Sequence, residues 1–162
     1  VVQSVCRYRP EMIVPHEQQV TIAPLTAAEL PVIAYYQSTT AQALMPMLAA
    51  SAAKRHEGRY YEQFVVHADG CFVGTVSLFE HADGTVCDGV DIFPPFRRCG
   101  FAAKALSLLM NVARERGYAV QTAQIRTSNA ASIALHRKLG FKPGEPWINR
   151  KGNEVRTWRK EL

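Results

Sequence analysis

The stretch PPFRRCGFAAKA, residues 94 to 105, holds the residues of this sequence that are best suited to bind an anion. Two prolines end the strand-like run before it, and a helix is predicted to begin directly after Gly100. The first amide groups of a helix have no partner inside it, and the helix dipole adds positive charge there. With Arg97 and Arg98 alongside, the pattern predicts a phosphate site. The alternative is a glycine that only eases a turn beside two solvated arginines.

Charge is divided unevenly along the chain. From Arg97 to the end there are 14 Lys and Arg against 4 Asp and Glu, whereas residues 1–96 carry 5 against 10. The second part is therefore +10 and the first −5. This polarity favours an anionic partner, and both nucleic acid and a phosphorylated cofactor fit it.

Length and composition suit one globular domain. The chain has 162 residues, of which 48% are hydrophobic, and we expect a domain over 19–162 behind an N-terminal extension, 1–18. No apolar run reaches the roughly 18 residues of a membrane span and no signal peptide is evident, so we expect a cytoplasmic protein without membrane contact.

The cysteines at 6, 71, 87 and 99 lack metal-ligand spacing, so we expect reduced thiols and no metal site.

Hydrophobic periodicity and turn residues predict the elements that must position the loop. Thr26 and Glu29 form a capping-box pattern, and Asp-Gly pairs separate three strands of an antiparallel meander. The predicted order is β-α-α-β-β-β-α-β-α-β-β, a mixed α/β (α+β) domain. Its strands are 20–25, 60–67, 71–80, 85–93, 118–126 and a final hairpin around 151–153, and its helices are 26–37, 41–57, 101–116 and 129–139.

Two motifs resemble one known family. DIFPPFRRCGFAAKALSLLM, with Arg97-x-x-Gly100-x-Ala102, is similar to the acetyl-CoA signature of the GNAT N-acetyltransferases. IRTSNAASIALHRKLGF, residues 125–141, resembles their second signature and is nearest to the ribosomal-protein alanine acetyltransferase branch. The resemblance covers about 65–162, and 20–60 by element order. It implies a central, mostly antiparallel sheet of six to seven strands flanked by about four helices.

The resemblance also implies a cofactor, acetyl-CoA, and residues to hold it. Backbone groups at the end of the fourth strand would bond its pantetheine arm, and these are Val90, Asp91 and Ile92. The loop and first helical turn would hold its pyrophosphate through Arg97, Arg98, Cys99, Gly100, Phe101, Ala102 and Ala103. Asn129 would bond its amide arm.

At two positions the sequence departs from the family. His136 stands seven residues after Asn129, where family members commonly have a tyrosine general acid. Its imidazole could protonate the departing thiolate, or the side chain could only pack. Gln124 stands where the ribosomal-protein branch has a glutamate base, and glutamine cannot take a proton at neutral pH.

The general base is less clearly indicated. We select Asp88, because it lies on the fourth strand near the expected thioester. Asp91, Glu80 and His81 are the other candidates, and turn or edge placement explains each of the four equally well. Solvent could also take the amine's proton, which would leave positioning as the main catalytic contribution.

These patterns predict an acetyl-CoA-dependent N-acetyltransferase that moves an acetyl group directly to a primary amine of a small molecule or peptide. The acidic first part of the chain favours a cationic amine, and the protein could form a homodimer. A catalytically impaired CoA-binding module is the alternative, suggested by Gln124 and His136. A nucleic-acid binder is a third possibility, but no nucleic-acid motif supports it, so no nucleic-acid partner is expected.

Overall fold

The computed structural model describes residues 18–162, so the predicted extension 1–18 lies outside it except for Gln18. Its strands are β1 (Val20–Pro24), β2 (Arg55–His56), β3 (Arg59–Ala68), β4 (Cys71–Glu80), β5 (Val86–Ile92), β6 (Val120–Arg126), β7 (Lys142–Ile148) and β8 (Glu154–Glu161). Its helices are α1 (Leu30–Tyr36), α2 (Met45–Ala53), α3 (Phe101–Glu115) and α4 (Ala130–Lys138). The predicted order is confirmed, with the two-residue β2 as an addition.

The strands form one sheet in the order β1-β3-β4-β5-β6-β8-β7, and β2 pairs with the start of β3. Every neighbouring pair is antiparallel except β5 and β6, which are parallel. A parallel pair needs a crossover connection, and α3 supplies it. The predicted mixed α/β class with a mostly antiparallel sheet is therefore confirmed.

Local backbone conformation explains where the elements end. Asp69 and Gly70 join β3 to β4 with φ of +49° and +79°, the left-handed pair that a tight two-residue hairpin requires. The second helix was predicted over 41–57, but α2 ends at Ala53 because Lys54 takes a left-handed φ of +53°. Arg55 and His56 then pair with β3.

The helix α3 packs the sheet through one apolar face. Phe101, Ala105, Leu106, Leu109 and Ala113 are all buried in the main core. Removing such a face from water is the largest favourable contribution to folding, so α3 is held firmly where it follows β5. Within residues 18–162, no helix combines the length and the hydropathy needed to cross a bilayer.

The two faces of the sheet differ around β5 and β6. Ala123 and Ile125 of β6 pack in one cluster with Met110 of α3. Side chains alternate along a strand, so Gln121 shares that face, and it bonds to Asp88 of β5. We call the opposite side the far face; it carries Cys87, Gly89 and Asp91 of β5 and Thr122, Gln124 and Arg126 of β6.

The cysteines differ in state. Cys71 is disulfide-bonded, whereas Cys87 and Cys99 are free thiols. The expectation of reduced thiols is therefore wrong for Cys71, while Cys6 lies outside the described residues. Burial raises the pKa of Cys87 to about 12, with a smaller contribution from the nearby Asp88 charge, so this thiol stays protonated at neutral pH.

Candidate active site

The parallel strands β5 and β6 separate soon after they meet. They pair only at Val86 with Gln121 and at Cys87 with Thr122. Beyond this point β5 continues to Ile92 and β6 to Arg126, without a ladder between them. We call this opening, between 88–92 and 123–126, the fork. Its edges present backbone groups to an extended molecule that could lie between them, as a strand would.

The position of β5 along the fork is fixed by β4. Gly74 on β4 lies so close to β5 that a Cβ atom there would come within 2.9 Å of the Ile92 Cα and would also overlap the Asp91 carbonyl oxygen. A side chain at this position would push the two strands apart. Because Gly74 has no side chain, the end of β5 can lie this close to β4.

Arg97 closes the end of β5. Its Nε donates a hydrogen bond to the Ile92 carbonyl at 2.8 Å, and its Nη2 lies 3.8 Å from the Asp91 carboxylate. The structure thus brings three predicted cofactor residues into mutual contact. The Arg97 side chain therefore ties the loop that follows β5 back to the end of that strand.

Within residues 18–162, no side chain caps the start of the helix α3. Gly100 is the N-cap residue, with φ of +81°, and a Cβ atom there would meet nothing within 4 Å. Arg98 also takes a left-handed φ of +62°, which is uncommon for a residue with a long side chain. Within residues 18–162, the amides of Ala102 and Ala103 have no backbone acceptor. Uncovered amides at the positive end of a 15-residue helix suit a phosphate group.

Asn129 is the N-cap of α4. Its Oδ1 accepts a hydrogen bond from the Ser132 amide at 3.1 Å, so the oxygen stabilises the helix start. The side-chain amide nitrogen stays available as a donor. A ligand contact by Asn129 would therefore use this nitrogen.

Asp88 and His136, the predicted catalytic pair, lie together beneath the fork. His136 Nε2 is 3.0 Å from Asp88 Oδ1, and both side chains are only 2% exposed. Gln121 Nε2 donates to the other carboxylate oxygen at 2.8 Å. His136 Nδ1 donates to the Ser132 carbonyl at 2.9 Å, and Phe141 packs edge-on at 5.0 Å. Both ring nitrogens of His136 are therefore occupied.

The surroundings of His136 favour its charged form. Burial by itself lowers the pKa of His136, but the hydrogen bond and charge of Asp88, helped by the Ser132 carbonyl, outweigh burial and raise it above the usual range. The ion pair thus joins α4 to β5 at the closed end of the fork. The predicted roles of Asp88 as base and His136 as acid stay predictions.

Sequence reasoning missed Gln121 as part of this cluster. Gln121 is fully buried, and its Oε1 has no hydrogen-bond partner within residues 18–162. The available signal was alternation, because Asp88 and Gln121 are polar positions on apolar faces of neighbouring strands. Of the other base candidates, Glu80 is the last residue of β4 and pairs with Val86, and His81 follows it, so both lie near the closed end of the fork.

Gln124 lies on the far face of the fork and is exposed. Its Oε1 accepts a hydrogen bond from Asn149 Nδ2 at 3.4 Å. The position where the resembling branch has a base is therefore occupied by a neutral amide held by the β7–β8 turn. Among residues 18–162, no cluster of three or more His, Cys, Asp or Glu side chains could hold a metal ion.

Solved structures of acetyltransferases have the same fold as this chain. YncA from Salmonella typhimurium, solved with its cofactor acetyl-CoA, superposes with a TM-score of 0.72 at 23% identity, over 88% of this chain and 94% of that one. The ribosomal L7/L12 α-N-protein acetyltransferase in complex with coenzyme A gives a TM-score of 0.78 at 13% identity, with the same coverage. At these identities the likeness shows the fold.

Two kinds of curated relative match the sequence. The L-methionine sulfoximine/L-methionine sulfone acetyltransferase of Pseudomonas aeruginosa is 42% identical over 64 residues, 40% of this chain and 37% of that protein. The match therefore spans little more than a third of that relative's length. The ribosomal protein bS18 alanine N-acetyltransferase of Escherichia coli is 29% identical over 121 residues, 75% of this chain and 80% of that protein.

The family comparison covers most of the chain. The model of the acetyltransferase (GNAT) family matches residues 28–141, which include α3, the fork and the Asp88–His136 pair. Both motifs identified in the sequence lie within this range. The chain therefore belongs to the GNAT acetyltransferase family.

Proposed function

We propose that this protein is an acetyl-CoA-dependent N-acetyltransferase that transfers the acetyl group directly to a primary amine. The observation that carries the proposal is the fork followed at once by the uncapped start of α3. Only residues 93–100 separate the end of β5 from this helix. A slot for an extended amide chain and a site for phosphate are thus neighbours, as coenzyme A requires, because its pantetheine arm is bonded directly to its pyrophosphate.

The residues present fit the cofactor. Backbone groups of Val90, Asp91 and Ile92 would bond the pantetheine arm along the fork, and the Asn129 amide nitrogen would bond it from α4. The amides of 98–103 would hold the pyrophosphate, with Cys99 and Phe101 contributing backbone groups only. When bound, acetyl-CoA supplies an acetyl group that is already activated as a thioester.

The chain contributes positioning and charge to the reaction. Backbone amides at the fork would stabilise the negative oxygen that forms when an amine attacks a carbonyl. His136, kept charged by Asp88, would place a positive charge near the departing sulfur. The proton of the incoming amine passes to solvent in this proposal, because Gln124 cannot accept it and Asp88 is bonded to His136 and Gln121.

The acceptor is a primary amine of a small molecule or peptide. The two relatives named above act, by their names, on L-methionine sulfoximine and L-methionine sulfone and on an alanine of ribosomal protein bS18. Both classes carry an α-amine, and we include both in the proposal. A single domain over 19–162, a cytoplasmic location and a homodimer stay predictions.

A CoA-binding module with impaired catalysis is the second candidate. Two observations favour it: Gln124 is not a base, and both ring nitrogens of His136 are occupied. Thiol release separates the two candidates. Calorimetry with coenzyme A and acetyl-CoA would measure binding, and a panel of amino acids, peptides, polyamines and aminoglycosides would measure turnover. Binding with release supports the transferase, binding without release supports the module, and no binding rejects both.

A further inference from the structure

The turn between β7 and β8 fixes the orientation of the Asn149 side chain. Its Oδ1 accepts hydrogen bonds from the backbone amides of Lys151 and Asn153, both at 3.0 Å. The Asn149 backbone also donates to the Asn153 carbonyl and accepts from Gly152. Because two donors occupy the side-chain oxygen, the Nδ2 group must point away from the turn as a donor.

This orientation determines that of Gln124. Asn149 Nδ2 donates to Gln124 Oε1, so the Gln124 amide turns its oxygen towards Asn149. Both Nε2 hydrogens of Gln124 are then directed elsewhere. Among residues 18–162, none accepts a hydrogen bond from this nitrogen, and the side chain is exposed.

The Gln124 amide lies beside the fork. If the β5–β6 ladder continued beyond Cys87 and Thr122, Gln124 would stand opposite Gly89, which has no side chain to cover it. Two residues along a strand span roughly 6.6 Å, so Gln124 is about that far from the last paired residues. A molecule that reaches the fork from the far face would meet these N–H groups.

The charged residues around Gln124 favour an oxygen-bearing ligand. Arg126 and Arg159 lie on the same face, on β6 and β8. The far-face carboxylates of β8 and β5, Glu161 and Asp91, each contact an arginine, at 3.2 and 3.8 Å. An amide donor on a face that carries arginines binds a carbonyl or carboxylate oxygen better than it binds a second cation.

We propose that Gln124 is a specificity-determining residue that donates a hydrogen bond to an oxygen atom beside the acceptor's amine. The acceptor is then an α-amino carbonyl compound, either a free amino acid with its carboxylate or a peptide N-terminus with its neutral carbonyl. This inference rests on the proposed transferase function. It narrows the cationic amine expected from the acidic first part of the chain to one with an oxygen atom beside the amine, because Gln124 offers an unengaged donor at the fork.

A matched series of acceptors tests the proposal. Thiol release from acetyl-CoA is measured with an amino acid, its primary amide and the decarboxylated amine of the same side chain. We expect kcat/KM to be at least about tenfold higher for the first two, the size of one hydrogen bond to a charged or buried group. Gln124→Ala should remove this preference. The better of the two carbonyl compounds distinguishes a free amino acid from a peptide N-terminus.

Two results of this series would overturn the proposal. One is equal kcat/KM for all three acceptors in the natural protein. The other is a Gln124→Ala variant that loses the same factor with each of them. Unchanged thermal unfolding and unchanged affinity for coenzyme A would establish that the variant is folded.

Asn149→Asp should reverse the orientation of the Gln124 amide and so provides a second test. Aspartate keeps one oxygen for the Lys151 and Asn153 amides but turns a second oxygen towards Gln124. Gln124 would then direct its N–H groups at Asp and its oxygen at the acceptor. We expect kcat/KM with carbonyl acceptors to fall about tenfold, with no further fall when the change is made in the Gln124→Ala protein. Additive losses would contradict the coupling.

A binding measurement separates this inference from the transferase proposal. The side-chain NH₂ resonances of Gln124 can be assigned in ¹⁵N spectra by their loss in Gln124→Ala. With coenzyme A present, an N-acetyl amino acid should shift them, whereas the N-acetylated decarboxylated amine should not. If no amine is acetylated, the transferase proposal fails, yet this shift still decides the role of Gln124. No shift with any carbonyl compound would reject the role.

Discussion

Asp88 on β5 and His136 on α4 form a buried ion pair, with 3.0 Å between Oδ1 and Nε2, at the closed end of the fork. This contact joins β5, the strand that leads into the loop before α3, to α4, the helix that follows β6. A buried charge is costly to leave unpaired, so the removal of either side chain should destabilise the protein through the other.

Replacing Asp88 by Asn should destabilise the protein through His136. The isosteric amide keeps a hydrogen-bonding group but removes the charge that holds the imidazole protonated. Removal of one partner of a buried pair typically costs about 3–5 kcal/mol, and the retained hydrogen bond should keep the loss near the lower end. Urea unfolding measures it. Asp83→Asn, on an exposed turn, is the control, and an equal loss in both variants would contradict the prediction.

Stability should fall as the pH rises above neutrality. The pKa of His136 is raised in the folded protein relative to about 6.5 in the unfolded chain. The group therefore binds its proton more tightly when folded, and its contribution is fully present below about pH 6.5. That contribution is lost as the pH rises through the higher, folded-state pKa. Urea unfolding between pH 5.5 and 9 should show this decline, and His136→Phe should abolish it.

A carboxylate in the first turn of α3 should weaken cofactor binding without weakening the fold. Ala103→Glu puts a negative charge at the predicted phosphate site, and Glu near a helix N-terminus is favourable for the helix itself. We expect the Kd for coenzyme A to rise at least tenfold while the unfolding temperature is unchanged or higher. Asn111→Glu, exposed on the same helix, is the matched control and should bind normally. Equal affinity in both variants would argue against the site.

Gly74→Ala should impair binding by moving β5. The new methyl group would overlap the Asp91 carbonyl and lie within 2.9 Å of the Ile92 Cα, so the strand must shift. We expect a loss of about 1–3 kcal/mol in the free energy of unfolding and a raised Kd for coenzyme A. Gly144→Ala introduces a methyl group 3.2 Å from the Thr157 carbonyl, on β7, which β8 separates from the fork. It should leave the Kd unchanged, and calorimetry on both variants checks this.

Local signals explain why the element order could be predicted. Asp69-Gly70 specifies a hairpin within two residues, and Thr26 with Glu29 forms the predicted capping box. The apolar face of α3 follows the helical period, and its residues Leu106, Leu109 and Met110 are buried. Each of these features depends on residues close together in the chain.

The site depended on long-range contacts that such signals do not contain. Asp88 and His136 are 48 residues apart, and they meet only because α4 packs on β6, the strand next to β5. Gln124 and Asn149, 25 residues apart, meet only because β8 places the β7–β8 turn beside β6. Sequence patterns pointed to Asp88, His136 and Gln124, but they predicted neither the Asp88–His136 contact nor the contact of Gln124 with Asn149. It also missed the early end of α2, which a left-handed lysine produces without a glycine.

The two-residue contact between β5 and β6 divides the sheet into a half of β1 to β5 and a half of β6 to β8. Few backbone bonds cross this seam, and side-chain contacts of Asp88 with Gln121 and His136 join the two halves at its closed end. A molecule inserted along the seam would act as an additional strand and make the two halves continuous. Occupancy should therefore slow amide hydrogen exchange on both sides of the seam, at residues that the inserted molecule never touches.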